Sequence, residues 1–190
     1  MAALVTTFIA IYGVRMWRHE LAGKEIYTAT KVLVKESHLL LRATGRLRTP
    51  VQDYERKAFT DDEINSTTRN ERWRIPEHEA IKARMGEFSE VCGRFPSVLL
   101  DLRVLVGSKV FVHFQSFQEH IAEAVKRVNN YIDLLYDHSV TPDSPEVRQA
   151  QGALYASENS GDKLSQKIAD AREEGEKALL IFLNRKSIRG

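Results

Sequence analysis

The chain has 190 residues, 43% of them hydrophobic and 28% charged, which is enough apolar material for one packed core and too much for general disorder. A formal net charge of +2 argues against a strongly basic nucleic-acid binder. The single cysteine, Cys92, excludes an intramolecular disulfide, a cysteine-rich zinc site and a CxxC redox pair, and it reads as a small core hydrophobe.

The first fourteen residues, MAALVTTFIAIYGV, carry no charged side chain, and Arg15, Trp17 and Arg18 follow them. As a helix this run rises about 21 Å against a hydrocarbon core of about 30 Å. Trp17 at the interface and a snorkelling Arg15 lengthen that short span. The basic residues come after the apolar run, whereas a cleaved signal peptide carries them before it. Between Arg15 and Arg48 eight Lys/Arg stand against three Glu, which orients the body toward the cytoplasm. The expectation is a single-pass anchor over residues 1–17, formed by Leu4, Val5, Phe8, Ile9, Ile11, Tyr12 and Trp17 in the inner (cytoplasmic) membrane. A helical bundle domain over residues 18–190 then faces the cytoplasm. The competing reading is a short buried helix in a soluble protein.

Four segments repeat apolar residues at steps of three and four, the signature of one helical face. The first, from about Arg15 to Leu47, runs through Ala22, Ile26, Ala29, Leu33, Leu40, Ala43 and Leu47, with its stripe interrupted near Glu36 and Ser37. A polar stretch from Thr49 to Ile75 reads as a long loop anchored by Phe59 and Trp73, with Thr60 and Glu63 forming a capping box for one short helix.

The second stripe, Ile81, Met85, Phe88, Cys92, Phe95, Leu99, Leu102 and Val106, keeps its phase across Pro96, so a bend with one buried face is expected. Gly107-Ser108 offers a turn. The third stripe then takes Val110, Phe114, Phe117, Ile121, Val125, Val128, Ile132 and Leu135, with Phe111, Val112 and Leu134 as a further apolar flank. Pro142 and Pro145 break the chain, and Ser144 or Asp143 caps the next helix. The fourth stripe is Leu164, Ile168, Ala171, Gly175, Ala178 and Phe182, with Leu154 on an earlier portion and Asn159-Ser160-Gly161 as an interruption. Glu123–Arg127 and Glu173–Lys177 are spaced as surface ion pairs. No segment reads as a strand. The predicted class is all-α, an antiparallel four-helix bundle whose first helix extends into the hydrophobic segment.

Chemistry is hard to find in this pattern. The phosphate-cradle, zincin and serine-hydrolase motifs are absent, and no Glu is followed three residues later by His, as a di-iron bundle requires. His113, His120 and Glu123 share a helical face but fall short of a metal site. Glu77-His78-Glu79 and Asp61-Asp62-Glu63 read as helix-start acids, Arg42, Arg46 and Arg48 as a solvated face, and Ser160 to Lys163 as a chance Ser-x-x-Lys match. No catalysis, cofactor, metal, small-molecule substrate or nucleic-acid partner is expected.

The string WRHELAGKEIYTATKVLVKESHLLLRATGRLRTP, Trp17 to Pro50, resembles a group of uncharacterised bacterial proteins. In these a single N-terminal membrane helix leads through a Trp-Arg-x-x-Glu-Leu-x-Gly-Lys segment into a long helix with an Arg-x-Pro exit. The LVGSKV around Gly107 and the region from Leu154 to Asp162 resemble the same layout. The resemblance implies membrane anchoring and no known activity. The functional expectation is a membrane-tethered interaction or scaffold protein, holding a protein partner or copies of itself. The alternative is a soluble accessory subunit whose N-terminal helix packs on a partner.

Overall fold

A computed structural model describes residues 2–156 and 162–184, with the side chains of residues 2–11, 13, 14, 18 and 19 outside the description. Among the described residues every regular element is helical: α1 (Ala2–Leu47), a 3-10 turn (Asp53–Glu55), α2 (Asp61–Ser66), α3 (Arg69–Val106), α4 (Lys109–His113), α5 (Gln115–Tyr136), α6 (Pro145–Leu154) and α7 (Lys163–Leu183). The all-α class therefore holds.

Local sequence sets most of these boundaries. Thr60 accepts from the Glu63 amide while the Glu63 carboxylate reaches back to the Thr60 amide, closing the expected capping box at α2. Thr68 and Glu71 repeat the device, so α3 starts at Arg69 and the long irregular stretch ends at residue 68, not at Ile75. Pro76 and Pro96 both lie inside α3. Gly107, at φ 84°, ends α3 in a conformation that a side chain disfavours. Pro145 is the first residue of α6, behind Ser144, whose side chain makes no capping bond. The third stripe is divided: Phe114, fully buried, separates α4 from α5. The fourth is divided between α6 and α7, and Asn159-Ser160-Gly161 lie outside the described residues.

Side-chain pairings give the directions. Arg46 meets Glu87 and Glu36 meets Arg94, so α1 and α3 run oppositely. Arg48 meets Ser165 and Ser37 meets Glu176, which sets α7 against α1 in the same sense. Tyr131 meets Glu77 while Phe117 packs 5.5 Å from Phe95, reversing α5 against α3. The core follows the stripes, with Leu33, Leu40, Leu47, Ile81, Phe88, Phe95, Leu99, Leu102, Phe117, Ile121, Val128, Leu135, Leu164, Ile168 and Ala171 all buried. In α5 the face is turned slightly from the expected one: Ala124 and Tyr131 are fully buried, while Val125 and Ile132 are half-buried. The apparent break at Glu36 and Ser37 is no break in burial. Ser37 donates to Glu176 at 2.8 Å, so a polar pair continues the seam between α1 and α7.

Helix rise places the ends. Val106, twelve residues beyond Arg94, comes level with about residue 24 of α1, and Leu183 comes level with about residue 30. The part of α1 ahead of that level, roughly 33 Å of helix, projects past the other helices as an arm.

Candidate functional site

Two regions stand out, at opposite ends of the molecule. Where α1 stops, four buried charged side chains (Arg48, Arg74, Glu77 and Arg84) penetrate the packing. The last carbonyls of a helix lack intrahelical donors and carry partial negative charge, so a buried helix end needs a cationic donor or a glycine turn. Three of these helix ends lack the glycine, and arginines from elsewhere in the chain supply the donors.

Arg84, on α3, donates to the carbonyls of Arg46 at 3.2 Å, Thr49 at 2.5 Å and Pro50 at 3.1 Å, and its fork also grips the Glu55 carboxylate. It thereby finishes α1 and pins the segment that leaves it. Arg74 does the same for α5, donating to Leu135 O at 2.7 Å and lying 3.1 Å from His138 Nδ1. Arg48 donates to Leu154 O, the last residue of α6, at 3.2 Å, and also to Asp162 and to Ser165 Oγ. Asp162 is itself the N-cap of α7, accepting from the amides of Leu164 and Ser165. One guanidinium thus joins the negative end of α6 to the capping carboxylate of α7. The hydrogen bond from Arg48 holds the Asp162 carboxyl far below the usual range, and that from Arg84 lowers Glu55.

Between these clamps lies Glu77, 2% exposed. Its Oε1 accepts from Tyr155 OH at 2.9 Å and Tyr131 OH at 3.2 Å, and its Oε2 from Arg56 Nη2 at 3.0 Å. Gln151 donates to the Tyr131 oxygen at 2.8 Å. Burial, reinforced by the Glu77 charge, pushes both tyrosine hydroxyls well above their ordinary value. These groups are saturated by one another and largely closed to solvent. Their arrangement is a fastening, locking α3, α5, α6 and the 48–56 segment together.

Several sequence readings change here. Arg48, expected on a solvated face, is 1% exposed, while Arg46 pairs at the surface with Glu87 at 2.6 Å and Arg42 is exposed. Glu77, expected as a helix-start acid, sits in the third turn of α3 and anchors the tyrosines. The 49–68 segment is held chiefly by Arg84, Arg56 and Glu55, with Trp73 packed half-buried on the core and Phe59 half-buried. Nothing in residue spacing marks such long-range arginine–carbonyl bonds. Their one local signal is a helix exit with no glycine to finish it.

The expected surface pairs form, Glu123–Arg127 at 3.0 Å and Glu173–Lys177 at 2.8 Å. His113 is exposed and His120 half-buried; among the described residues no group of three or more His, Cys, Asp or Glu could hold a metal ion. Burial raises the Cys92 thiol, as suits a half-buried packing residue. A shallow groove of about 300 Å³ lies between α5 and α6, lined by Arg127, Asn130, Leu134 and Glu146 among others.

The second region is the arm. Of the expected anchor residues, Tyr12 and Trp17 are 64% and 62% exposed; Leu4, Val5, Phe8, Ile9 and Ile11 lie on α1, and their side chains fall outside the described residues. Met16 and Leu21 are exposed beside them, and the first buried side chain of α1 in the described part is Thr30. Among the described residues no helix is long and apolar enough to cross a membrane.

No family model matches the chain, and no curated protein and no solved structure matches it either.

Proposed function

We propose that this protein is an interaction or scaffold module, a four-helix antiparallel bundle attached to the cytoplasmic face of a membrane through α1, which acts by holding a partner or copies of itself rather than by catalysis. The observation that carries the reading is the arm: α1 runs unbroken from Ala2 into the core while Tyr12, Met16, Trp17 and Leu21 stay exposed. Leaving four large apolar side chains in water on one projecting helix forgoes about 1.5–3 kcal/mol for each one that burial would recover. An apolar medium around the arm recovers it. The uncharged run ahead of Arg15 and the interface-seeking Trp17 suit lipid, and the resemblance of the Trp17–Pro50 segment points the same way. A saturated, buried polar cluster at the other end supports holding over chemistry.

The shortness of the apolar run favours a second reading, an accessory subunit whose arm packs on a partner protein. Membrane fractionation of the full chain beside a chain beginning at Arg18 separates the two. Under the tether reading the full chain resists alkaline carbonate and needs detergent, and the shortened one is soluble and helical. A full chain that carbonate releases as a defined soluble species would refute the tether and leave the partner-packed arm.

A further inference from the structure

We infer that, in the absence of a bilayer, the arm is covered by the arm of a second copy of this chain, the two lying antiparallel along one continuous seam. The inference goes beyond the tether reading and does not depend on it: lipid, where present, takes the place of the second arm.

The seam is the core line of α1 carried past the end of the core. Counted back from Leu47 in alternating steps of three and four, the line passes Thr44, Leu40, Ser37, Leu33 and Thr30, each at most 2% exposed. It continues without a skip through Ile26 and Gly23, both half-buried, then position 19, Met16 and Tyr12, and on to positions 9 and 5. Met16 and Tyr12 are 49% and 64% exposed. A stripe with this seven-residue repeat marks a helix that packs along its length on another helix. Over Thr30–Leu47 the stripe is covered by α3 and α7, which stop level with about residues 24–30. The same stripe runs on along the arm beyond them.

The geometry selects both the second arm and its direction. A copy of α1 laid on the stripe in parallel would, from about residue 24 on, enter the space that α3 and α7 already fill. That overlap outweighs the ion pair that parallel arms would bring together, Arg15 with Glu20 of the other copy, because one surface pair adds little. An antiparallel arm enters from the open end, and the repeat leaves it few registers. In one of them Tyr12 comes level with Met16 of the second copy, position 9 with position 19, and position 5 with Gly23. Each tip then stops level with Ile26, where α3 ends. One repeat further in, the tips would strike the bundle; one repeat further out, Gly23 and Ile26 would stay uncovered. The arm thus has the length, the stripe and the stop that fit a copy of itself. Trp17 and Leu21 fall off the stripe and remain outside the pair. Arg15 approaches its counterpart across the two-fold axis, so this pair should tighten as salt rises, where a parallel pair would loosen.

The test uses full chains with Cys92→Ser, refolded from urea into lipid-free buffer at micromolar concentration. One carries Tyr12→Cys and the other, distinguished by mass, Met16→Cys; the two are mixed before refolding and then oxidised with copper–phenanthroline. Both sites are exposed, so each chain is expected to keep its helical circular dichroism. The expected result is a dimer by sedimentation equilibrium, with the mixed disulfide between positions 12 and 16 well above the share that random pairing gives. Met16→Glu, which sets a charge on the seam, should weaken the dimer by about tenfold or more. A monomer overturns the inference. So do same-site disulfides in the majority, which mean parallel arms, and large species linked at every pair alike, which mean unspecific collapse. Vesicles of phosphatidylcholine and phosphatidylglycerol, added before oxidation, separate the two readings: a mixed disulfide that survives them counts against the tether and leaves the paired arms standing.

Discussion

Where α1 ends, Arg48, Arg74, Arg84 and Glu77 are buried and spent on carbonyls, carboxylates and tyrosines; where α3 and α7 end, Leu100, Val104, Val112, Leu180 and Ile181 are left in the open. The first end is closed by directional bonds that join distant parts of the chain. The second end is closed largely by packing, with an aromatic group of Phe95, Phe114 and Phe117 behind it and Arg103 over the Phe111 ring. The contrast separates two ways of closing an end: directional bonds between distant parts of the chain at one, and side-chain packing at the other.

The sharpest way to break that comparison is Arg84→Ala. Removing one side of a buried, hydrogen-bonded ion pair costs about 3–5 kcal/mol, and here the change also strands the carbonyls of Arg46, Thr49 and Pro50. Val104→Ser at the other end, an exposed site, should shift stability by no more than about 0.5 kcal/mol. Urea denaturation of the two variants beside the parent measures both. Equal effects would mean that the arginine clamp is ornamental.

Sequence periodicity anticipates the apolar half of this picture and misses the ionic half, for a physical reason. Leu33, Phe88, Phe117 and Ile168 are buried because helical spacing puts apolar residues on one face, and that spacing is local. Thr60–Glu63 and Glu123–Arg127 are local as well, which is why both are legible. Arg48–Asp162 spans 114 positions and Tyr155–Glu77 spans 78, so no window along the chain contains them. Charge alone marks Arg48 as a surface residue, and only the fold shows a carbonyl and a carboxylate waiting for it. The exposed apolar residues at the other end are hidden in the sequence because Leu180 and Val104 belong to stretches that also supply core residues.

Packing between α7 and Phe114 is tested by Gly175→Ala. A Cβ there would stand 2.6 Å from a ring carbon of Phe114, whose side chain is fully buried and cannot swing away. Overpacking of this kind costs about 1–3 kcal/mol, read from the thermal midpoint. A neutral result would show that the seam between α4 and α7 is looser than this close approach implies.

The ionic end should in turn own the pH dependence. Asp162 is depressed in the folded chain, so its contribution is present above its ordinary value of about 4 and lost as pH falls toward the folded one. Tyr131 and Tyr155 are raised, so the unfolded chain sheds their protons first, and stability falls as pH climbs past about 10. Asp162→Asn should flatten the acid limb of a stability–pH curve and Tyr155→Phe the alkaline limb, each leaving the opposite limb as it was. Limbs unmoved by both changes would place the titrating groups elsewhere.

The smallest effect expected is a gain, and it comes from the same helix as the largest loss. Gly86 lies two residues from Arg84 on α3, exposed, with nothing within 4 Å of where a Cβ would stand. Glycine inside a helix costs about 0.8–1 kcal/mol relative to alanine, because the unfolded chain gives up more freedom there. Gly86→Ala should therefore raise stability by about 0.4–1 kcal/mol. Placed beside Arg84→Ala it separates two causes that a single variant confounds, since the alanine at position 84 also improves helix propensity slightly while destroying the clamp. If Gly86→Ala stabilises and Arg84→Ala still loses several kcal/mol, then α3 as a helix is sound and the loss belongs to the bonds that Arg84 makes to the end of α1. If Gly86→Ala also destabilises, the exposed face of α3 carries a contact in solution, and the ion-paired end is less closed than its cross-chain bonds imply.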